Sequence, residues 1–388
     1  MQVILQRGKG HRVEDGHPWI YKNEIDRIVG SPVVGDIVEV FNFKNDFIGK
    51  GYINEQSQIT VRLLTRNKDE SINIDFFKRK LIEARNYREK IGYKYNYRLV
   101  FGEADGLPAL IIDKFNDIYV LQTLSAGMDR WKSTIAEILQ DEFKAKGIYE
   151  RNDAAVRKLE GVDEQQGFLS EPFDTNFIID EFGVKFHVDI AGGQKTGFFL
   201  DQKENRLAMK GIAKNATVLD CFTYTGSFAL FAAHFGAKQV IALDISENAI
   251  EQTKKNAILN NFTNIECITA NAFDVLPVWV KEEKKFDVVI LDPPAFTKNR
   301  KAIENAVKGY KEINLRGMKL VQSGGFLITF SCSHFMDVNL LYDVVASAAK
   351  DAGRMVREVQ YLSQAKDHPI VWGIEETHYL KGLILQVL

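Results

Sequence analysis

Two short strings in the last third of the chain carry the residue types with most chemistry to offer: Asp292-Pro293-Pro294-Ala295-Phe296 and Ser331-Cys332-Ser333. Each follows an apolar, β-branched run, Phe286 to Leu291 and Gly325 to Phe330, that reads as a buried strand. The strings therefore put a carboxylate and a thiol at the carboxyl ends of two successive strands, where open α/β sheets hold their ligands. Pro293 and Pro294 forgo backbone N–H groups and fix φ, which makes a stiff shelf for a flat ring. Asp292 would hydrogen-bond the edge of such a ring and Phe296 would stack on its face. Cys332, between two serines and two residues before His334, reads as a nucleophile for an electron-poor ring. Cys221 and Cys267 read as packing residues.

A second group of residues lies at earlier strand ends. The run Val218-Leu219-Asp220-Cys221-Phe222-Thr223-Tyr224-Thr225-Gly226 leads from a strand into a helix with a single glycine, so it is not the G-x-G-x-x-G pattern of dinucleotide sites. An acid at the strand tip repels pyrophosphate and suits a ligand with an ammonium or sulfonium group, and S-adenosylmethionine is such a ligand. Phe222, Thr225 and Gly226 would line its loop. Asp244 ends the next strand, placed to accept from a ribose diol, and Asn271-Ala272-Phe273 ends the third, where an adenine would be read. Asp220 or Asp244 alone would serve equally well as a helix cap. With a methyl donor the thiol gains a purpose. Carbon 5 of a pyrimidine is too poor a nucleophile until a thiolate adds at carbon 6. Asp292 would stabilise the charge that develops on the ring. These residues leave open which base removes the carbon-5 proton.

The elements that must position these groups follow from periodicity. After Gly192 strands and helices alternate, with strands over 217–222, 239–245, 264–269, 286–291 and 325–330, which predicts an α/β, doubly wound, mostly parallel sheet. Strand-like runs at 354–361 and 379–388 close the chain. Residues 1–67 read as a small all-β barrel, with Gly35-Asp36 and Gly49-Lys50-Gly51 as turns or bends. Residues 68–182 read as a central α+β domain with helices over 75–92 and 130–146. Residues 183–388 would form the α/β domain. A hairpin over 177–188 is expected to turn at Glu181-Phe182-Gly183.

Composition sets the class. The 388 residues are 45% hydrophobic and 26% charged, with a formal net charge of −2, which argues against indiscriminate coating of nucleic acid. No apolar stretch approaches the ~20 residues of a membrane-spanning helix. The first residues lack the apolar segment of a secretory signal. Three cysteines without paired spacing imply no zinc site and no disulfide framework, so a reducing cytoplasm is expected. Between Phe76 and Arg98 eight Lys or Arg stand against two Glu, interleaved with Phe76, Phe77, Tyr87, Tyr93, Tyr95 and Tyr97. That pattern fits single-stranded RNA binding, and it fits equally a solvated helix face with its rings in a core. Arg7, Lys9, His11 and Arg12 offer another phosphate contact.

Together these motifs resemble the RlmI-type family of bacterial 23S ribosomal RNA cytosine-5 methyltransferases, over nearly the whole chain. Gly16-His17-Pro18-Trp19-Ile20-Tyr21 is similar to part of a PUA RNA-binding domain. Lys195-Thr196-Gly197-Phe198-Phe199-Leu200-Asp201-Gln202, the Gly309–Asn314 run Gly-Tyr-Lys-Glu-Ile-Asn, and Asp367-His368-Pro369 match as well. The resemblance implies a Rossmann-like class I methyltransferase domain behind a PUA barrel and a connecting domain. It implies S-adenosylmethionine as cofactor, held by Phe198, Asp201, Gln202 and Arg206 beside Asp220, Asp244, Asn271 and Asp292. Cys332 would be the nucleophile. The implied partner is 23S rRNA or a precursor of the large subunit, with no membrane and no metal, and a homodimer is left open. Two departures stand out: Asn271 where an acid is more common, and Ala295 where other cytosine-5 enzymes carry a second cysteine. The competing readings are a guanine N7 or N2 methyltransferase, which needs no thiol, and a non-catalytic RNA-binding assembly factor.

Overall fold

The computed structural model describes residues 1–296, 303–333 and 335–388. The chain forms two compact units and passes between them more than once. The first is built from Met1–Phe177, Val188–Leu200 and Lys366–Thr377. The second is built from Ile178–His187, Asp201–Ala365 and His378–Leu388. His334, singled out in the sequence, lies outside the described residues.

In the first unit a six-stranded sheet runs in the order Trp19–Tyr21, Ile59–Thr65, Phe47–Ile53, Ile37–Phe41, Gln2–Leu5, Ile25–Val29. Alternate residues such as Val38 and Val40 point into a core with Val3, Leu5, Ile20 and Val61, as the period-2 pattern requires. Gly49-Lys50-Gly51 marks a bend and no turn. It lies inside the strand Phe47–Ile53, whose register shifts between Lys50 and Gly51. A Cβ on Gly51 would come within 2.0 Å of the Arg62 carbonyl oxygen, so the facing strand can approach only glycine.

A second sheet of this unit orders Gln165–Phe168, Gly147–Asn152, Ile118–Thr123, Leu110–Phe115 and Asn96–Phe101. The helix Ile74–Lys90, capped by Asn73, packs on it through Phe76, Phe77, Leu81 and Ala84. The helix expected over 130–146 spans Lys132–Phe143 and is stopped by Lys144 in the left-handed region. The basic stretch 76–98 resolves toward a paired face with core rings. Lys78 meets Glu142, Arg79 meets Glu70 and Glu83, Arg88 meets Asp105 and Arg98 meets Asp113. Phe76, Phe77, Tyr93 and Tyr97 are buried, whereas Tyr95 stands out in solvent. The segment returning at Lys366–Thr377 is fastened here. Asp367 accepts from the Arg98 amide at 2.9 Å through its carboxylate and from Arg88 at 2.8 Å through its carbonyl.

The second unit carries a seven-stranded sheet: β1 (Thr217–Cys221), β2 (Gln239–Asp244), β3 (Ile265–Thr269), β4 (Phe286–Leu291), β5 (Val321–Ser331), β6 (Val356–Ser363) and β7 (Lys381–Val387). Their order is β3-β2-β1-β4-β5-β7-β6. Strands β1 to β5 are parallel, and β7 inserts antiparallel between β5 and β6. Helices α1 (Ser227–His234), α2 (Glu247–Leu259), α3 (Ala272–Lys281), α4 (Ile303–Leu320) and α5 (Val338–Ala352) lie in the connections. Strand β5 starts earlier than its apolar run, because Gln322 to Gly325 bulge out of register with β4 before Phe326 pairs with Val288. The expected hairpin is present as Asn176–Glu181 and Val184–Asp189. Phe182 and Gly183 both have positive φ, which suits the twist of a two-residue hairpin turn. The core on one face of the sheet joins Leu219, Leu243, Val289 and Leu327 to Leu276 of α3, Ile313 of α4 and Leu341 of α5.

Candidate cofactor and active site

The site starts at the loop after β1. Phe222, Tyr224 and Gly226 all have positive φ (63°, 50° and 83°). For bulky side chains that backbone is strained by roughly 1–3 kcal/mol each, and it persists only where neighbours over-determine it. Here they do. The Thr223 amide donates to the Leu243 carbonyl (3.0 Å) and the Tyr224 amide to Asp244 Oδ2 (2.9 Å). From α2, Thr253 Oγ1 donates to the Tyr224 carbonyl (2.9 Å) and Asn256 Nδ2 to the Thr225 carbonyl (3.0 Å). Gly226 must be glycine: its φ is left-handed, and a Cβ would lie 2.5 Å from Thr253 Cγ2.

Asp220, at the tip of β1, is 1% exposed. Its Oδ2 accepts from the Thr223 hydroxyl and from the Ala229 amide at 3.0 Å. Its Oδ1 is buried with no hydrogen-bond partner among the described residues. Burial pushes its pKa up to about 7, with Asp292 and Asp244 adding repulsion against the two hydrogen bonds. An unmatched buried carboxylate oxygen near two further acids favours a cation over an anion. That charge suits the ammonium or sulfonium of S-adenosylmethionine and disfavours pyrophosphate.

Of the other strand-end residues, Asp244 and Asp292 lie close enough to act on its charge. Asp244 uses both oxygens on backbone amides, of Tyr224 and Ser246, each at 2.9 Å. Asn271 caps α3 by accepting from the Phe273 amide, and Ala272 is buried just inside that helix. Asp292 Oδ2 accepts from Gln202 Nε2 at 3.0 Å, and Gln202 is aimed in turn by Asn205, whose Nδ2 donates to Gln202 Oε1 and the Ser363 carbonyl. Asp201 accepts from the Tyr379 hydroxyl at 2.6 Å. Arg206 is fully buried against Glu181, with its guanidinium near the Phe231 ring. Phe198 is buried within Val188–Leu200, a segment of the first unit.

Leu291 and Thr329 are paired across β4 and β5, so Asp292 and Ser331-Cys332-Ser333 leave the sheet side by side. Pro293 is buried, Pro294 exposed, and Phe296 half-buried between Phe273 (5.7 Å) and Tyr310 (4.6 Å). Phe222 extends this row of rings, 6.5 Å from Phe273. Cys332 is half-buried, whereas burial raises Cys221 well above the ordinary thiol value and raises Cys267 less. A thiolate is thus disfavoured at Cys221 and Cys267, in keeping with packing roles.

Two side chains join the site without a role in the sequence reading. Tyr310 on α4 accepts from Ser331 Oγ at 3.0 Å and hydrogen-bonds the Phe296 backbone, tying the two strings together. The Gly309–Asn314 motif contains it, and only the fold reveals its contact. Lys381, at the start of β7, is 2% exposed beside Ser333. A lysine in a strand pattern reads as a solvent-facing residue, so no local signal marks it.

This fold and this site define a class I S-adenosylmethionine-dependent methyltransferase. Residues 156–383 match the S-adenosylmethionine-dependent methyltransferase family, and residues 3–66 match the PUA-like domain. The chain is 40% identical to "Ribosomal RNA large subunit methyltransferase I" of Aliivibrio fischeri over 394 residues, covering 100% of both chains. The protein of the same name from Pseudoalteromonas atlantica is 40% identical over 392 residues, covering 100% of this chain and 99% of that one. Among solved structures, SMU.776 in complex with SAH superposes with a TM-score of 0.86 at 19% identity, covering 100% of both chains. The chain belongs to the ribosomal RNA large subunit methyltransferase I family.

Proposed function

We propose that this protein methylates RNA of the large ribosomal subunit, 23S rRNA or a precursor particle, and forms 5-methylcytosine through a covalent bond from Cys332. The RNA target rests on the full-length relatives, which carry ribosomal RNA in their name, and on the PUA-like domain. The carbon-5 chemistry rests on one observation, the juxtaposition of Asp292 and Cys332 at the ends of paired strands β4 and β5.

In this reading Asp220, Asp244, Asn271, Ala272 and the Phe222–Gly226 loop hold the cofactor, with Asp201, Gln202 and Arg206 in support. When bound, S-adenosylmethionine supplies an electrophilic methyl group. The chain's own residues do the rest. Pro293, Pro294 and Phe296 hold the target base. The Cys332 thiolate adds to carbon 6, which makes carbon 5 a nucleophile. Asp292, aimed by Gln202, stabilises charge at the ring edge as the bond forms. After carbon 5 gains its methyl group, loss of its proton to a base re-forms the ring double bond and expels the thiolate. Ala295 removes the second cysteine that would otherwise release the product.

The test is bisulfite mapping of ribosomal RNA from cells carrying wild-type protein, Cys332→Ala, or neither. One cytosine methylated only with the wild type is expected. A guanine enzyme would leave every cytosine unchanged and would tolerate Cys332→Ala.

A further inference from the structure

Lys381 sits in an unusual place for a lysine. Its backbone opens β7 and pairs with Ser331, the last residue of β5, and with Ser363, the last residue of β6. Its side chain is turned away from solvent, and Nζ donates to the Ser333 carbonyl at 2.9 Å and the Tyr379 carbonyl at 3.1 Å. Burying an ammonium costs several kcal/mol, and two neutral carbonyls return only part of that. A methionine would fill the same space without the cost. The charge therefore calls for a counterpart. The groups that favour the charged form are Cys332, one residue before the carbonyl that Lys381 holds, and Asp337 at the cap of α5. His378 also faces it, with its ring nitrogen 3.2 Å from the Tyr361 hydroxyl.

We propose that Lys381 is a positioning residue for Cys332: its buried ammonium clamps the Ser333 turn and holds the neighbouring sulfur in its thiolate form. This rests on the reading of Cys332 as the nucleophile. The lysine stays protonated and forms no bond to substrate. The Cys332 proton goes to solvent before attack, and the positive charge left beside the sulfur stabilises the anion that remains. Burial lowers Lys381 to about 8, so the clamp is charged at neutral pH and is lost in alkali. The thiolate would then be present where the lysine still carries its charge.

The experiment reads the thiol directly. Full-length protein is alkylated with iodoacetamide between pH 5.5 and 10, and Cys332 modification is followed by peptide mass spectrometry, with Cys267 as internal control. The wild-type Cys332 midpoint is expected below the ~8.5 of a free thiol. Lys381→Met should raise it by about one unit and slow alkylation at pH 7 roughly tenfold, without moving Cys267. Lys381→Arg, which keeps the charge, should restore most of the difference. Retained S-adenosylmethionine binding shows that each variant is folded. A wild-type midpoint at or above 8.5 overturns the proposal even if Lys381→Met fails to fold. So does a folded Lys381→Met with an unchanged midpoint. Methylation that survives Cys332→Ala would instead overturn the nucleophile reading and leave the alkylation result standing.

Discussion

Asp220 allows the sharpest quantitative test of how the cofactor is held. If its ionised form receives the cation, the apparent dissociation constant scales as 1 + 10^(pKa − pH) for a group near 7. Binding should then tighten about fivefold from pH 6 to pH 7, a window that keeps the ligand's own ammonium protonated. Isothermal titration with S-adenosylmethionine measures this. Asp220→Asn keeps one acceptor oxygen for Thr223 and the Ala229 amide while removing the charge. Losing a charged hydrogen bond of ~1.5–3 kcal/mol should weaken binding by roughly 10- to 150-fold and flatten the pH dependence. The same substitution should stabilise the free protein. Because the folded pKa lies above the unfolded value of 3.8, Asp220 is neutral and harmless to the fold at acid pH. Stability is withdrawn as pH rises from there through about 7. The charging cost at neutral pH is on the order of 4 kcal/mol, so Asp220→Asn should raise the Tm at pH 7.5 and not at pH 4. A pH-independent affinity in the wild type, or unchanged binding in Asp220→Asn, would refute the reasoning.

Other expectations follow from single contacts. Gly226→Ala should cost about 2–3 kcal/mol in urea unfolding, from its left-handed φ and the 2.5 Å approach to Thr253, and should weaken cofactor binding with it. Tyr310→Phe breaks the link between Ser331 and Phe296, so kcat should fall about tenfold while cofactor affinity stays within twofold. Gln202→Leu leaves Asp292 without the amide that aims it, and kcat should again fall with cofactor binding largely intact.

Much of the second unit was legible because its signals are local. An apolar run that ends in Asp220, Asp244 or Asp292 announces a parallel strand and its ligand-facing tip within a few residues. The left-handed turn at Phe182-Gly183 announces a hairpin in the same way. What escaped depends on partners far away in sequence. Nothing in 379–388 says that β7 inserts antiparallel between β5 and β6, and Lys381 is buried only because it does. The charge run at 76–98 gave no hint that Glu142, Asp105 and Asp113 neutralise it. Gln322 to Gly324 stand outside the apolar run at 325–330 that marks the strand, and they form part of a bulge within β5. Asp367 stands in a recognisable motif, yet its work is to bind Arg88 and Arg98 in the first unit.

The central claim is a sulfur–carbon bond from Cys332 to the target base. The direct measurement is to incubate the protein and S-adenosylmethionine with large-subunit RNA carrying 5-fluorocytosine, then run a denaturing gel. Fluorine at carbon 5 cannot leave as a proton would, so release after methylation is blocked and the bond persists. Wild-type protein should give a heat-stable protein–RNA band with the nucleotide on the Cys332 peptide, and Cys332→Ala should give none. Efficient methylation of unmodified RNA with no trapped band, or a band that survives in Cys332→Ala, would contradict the account.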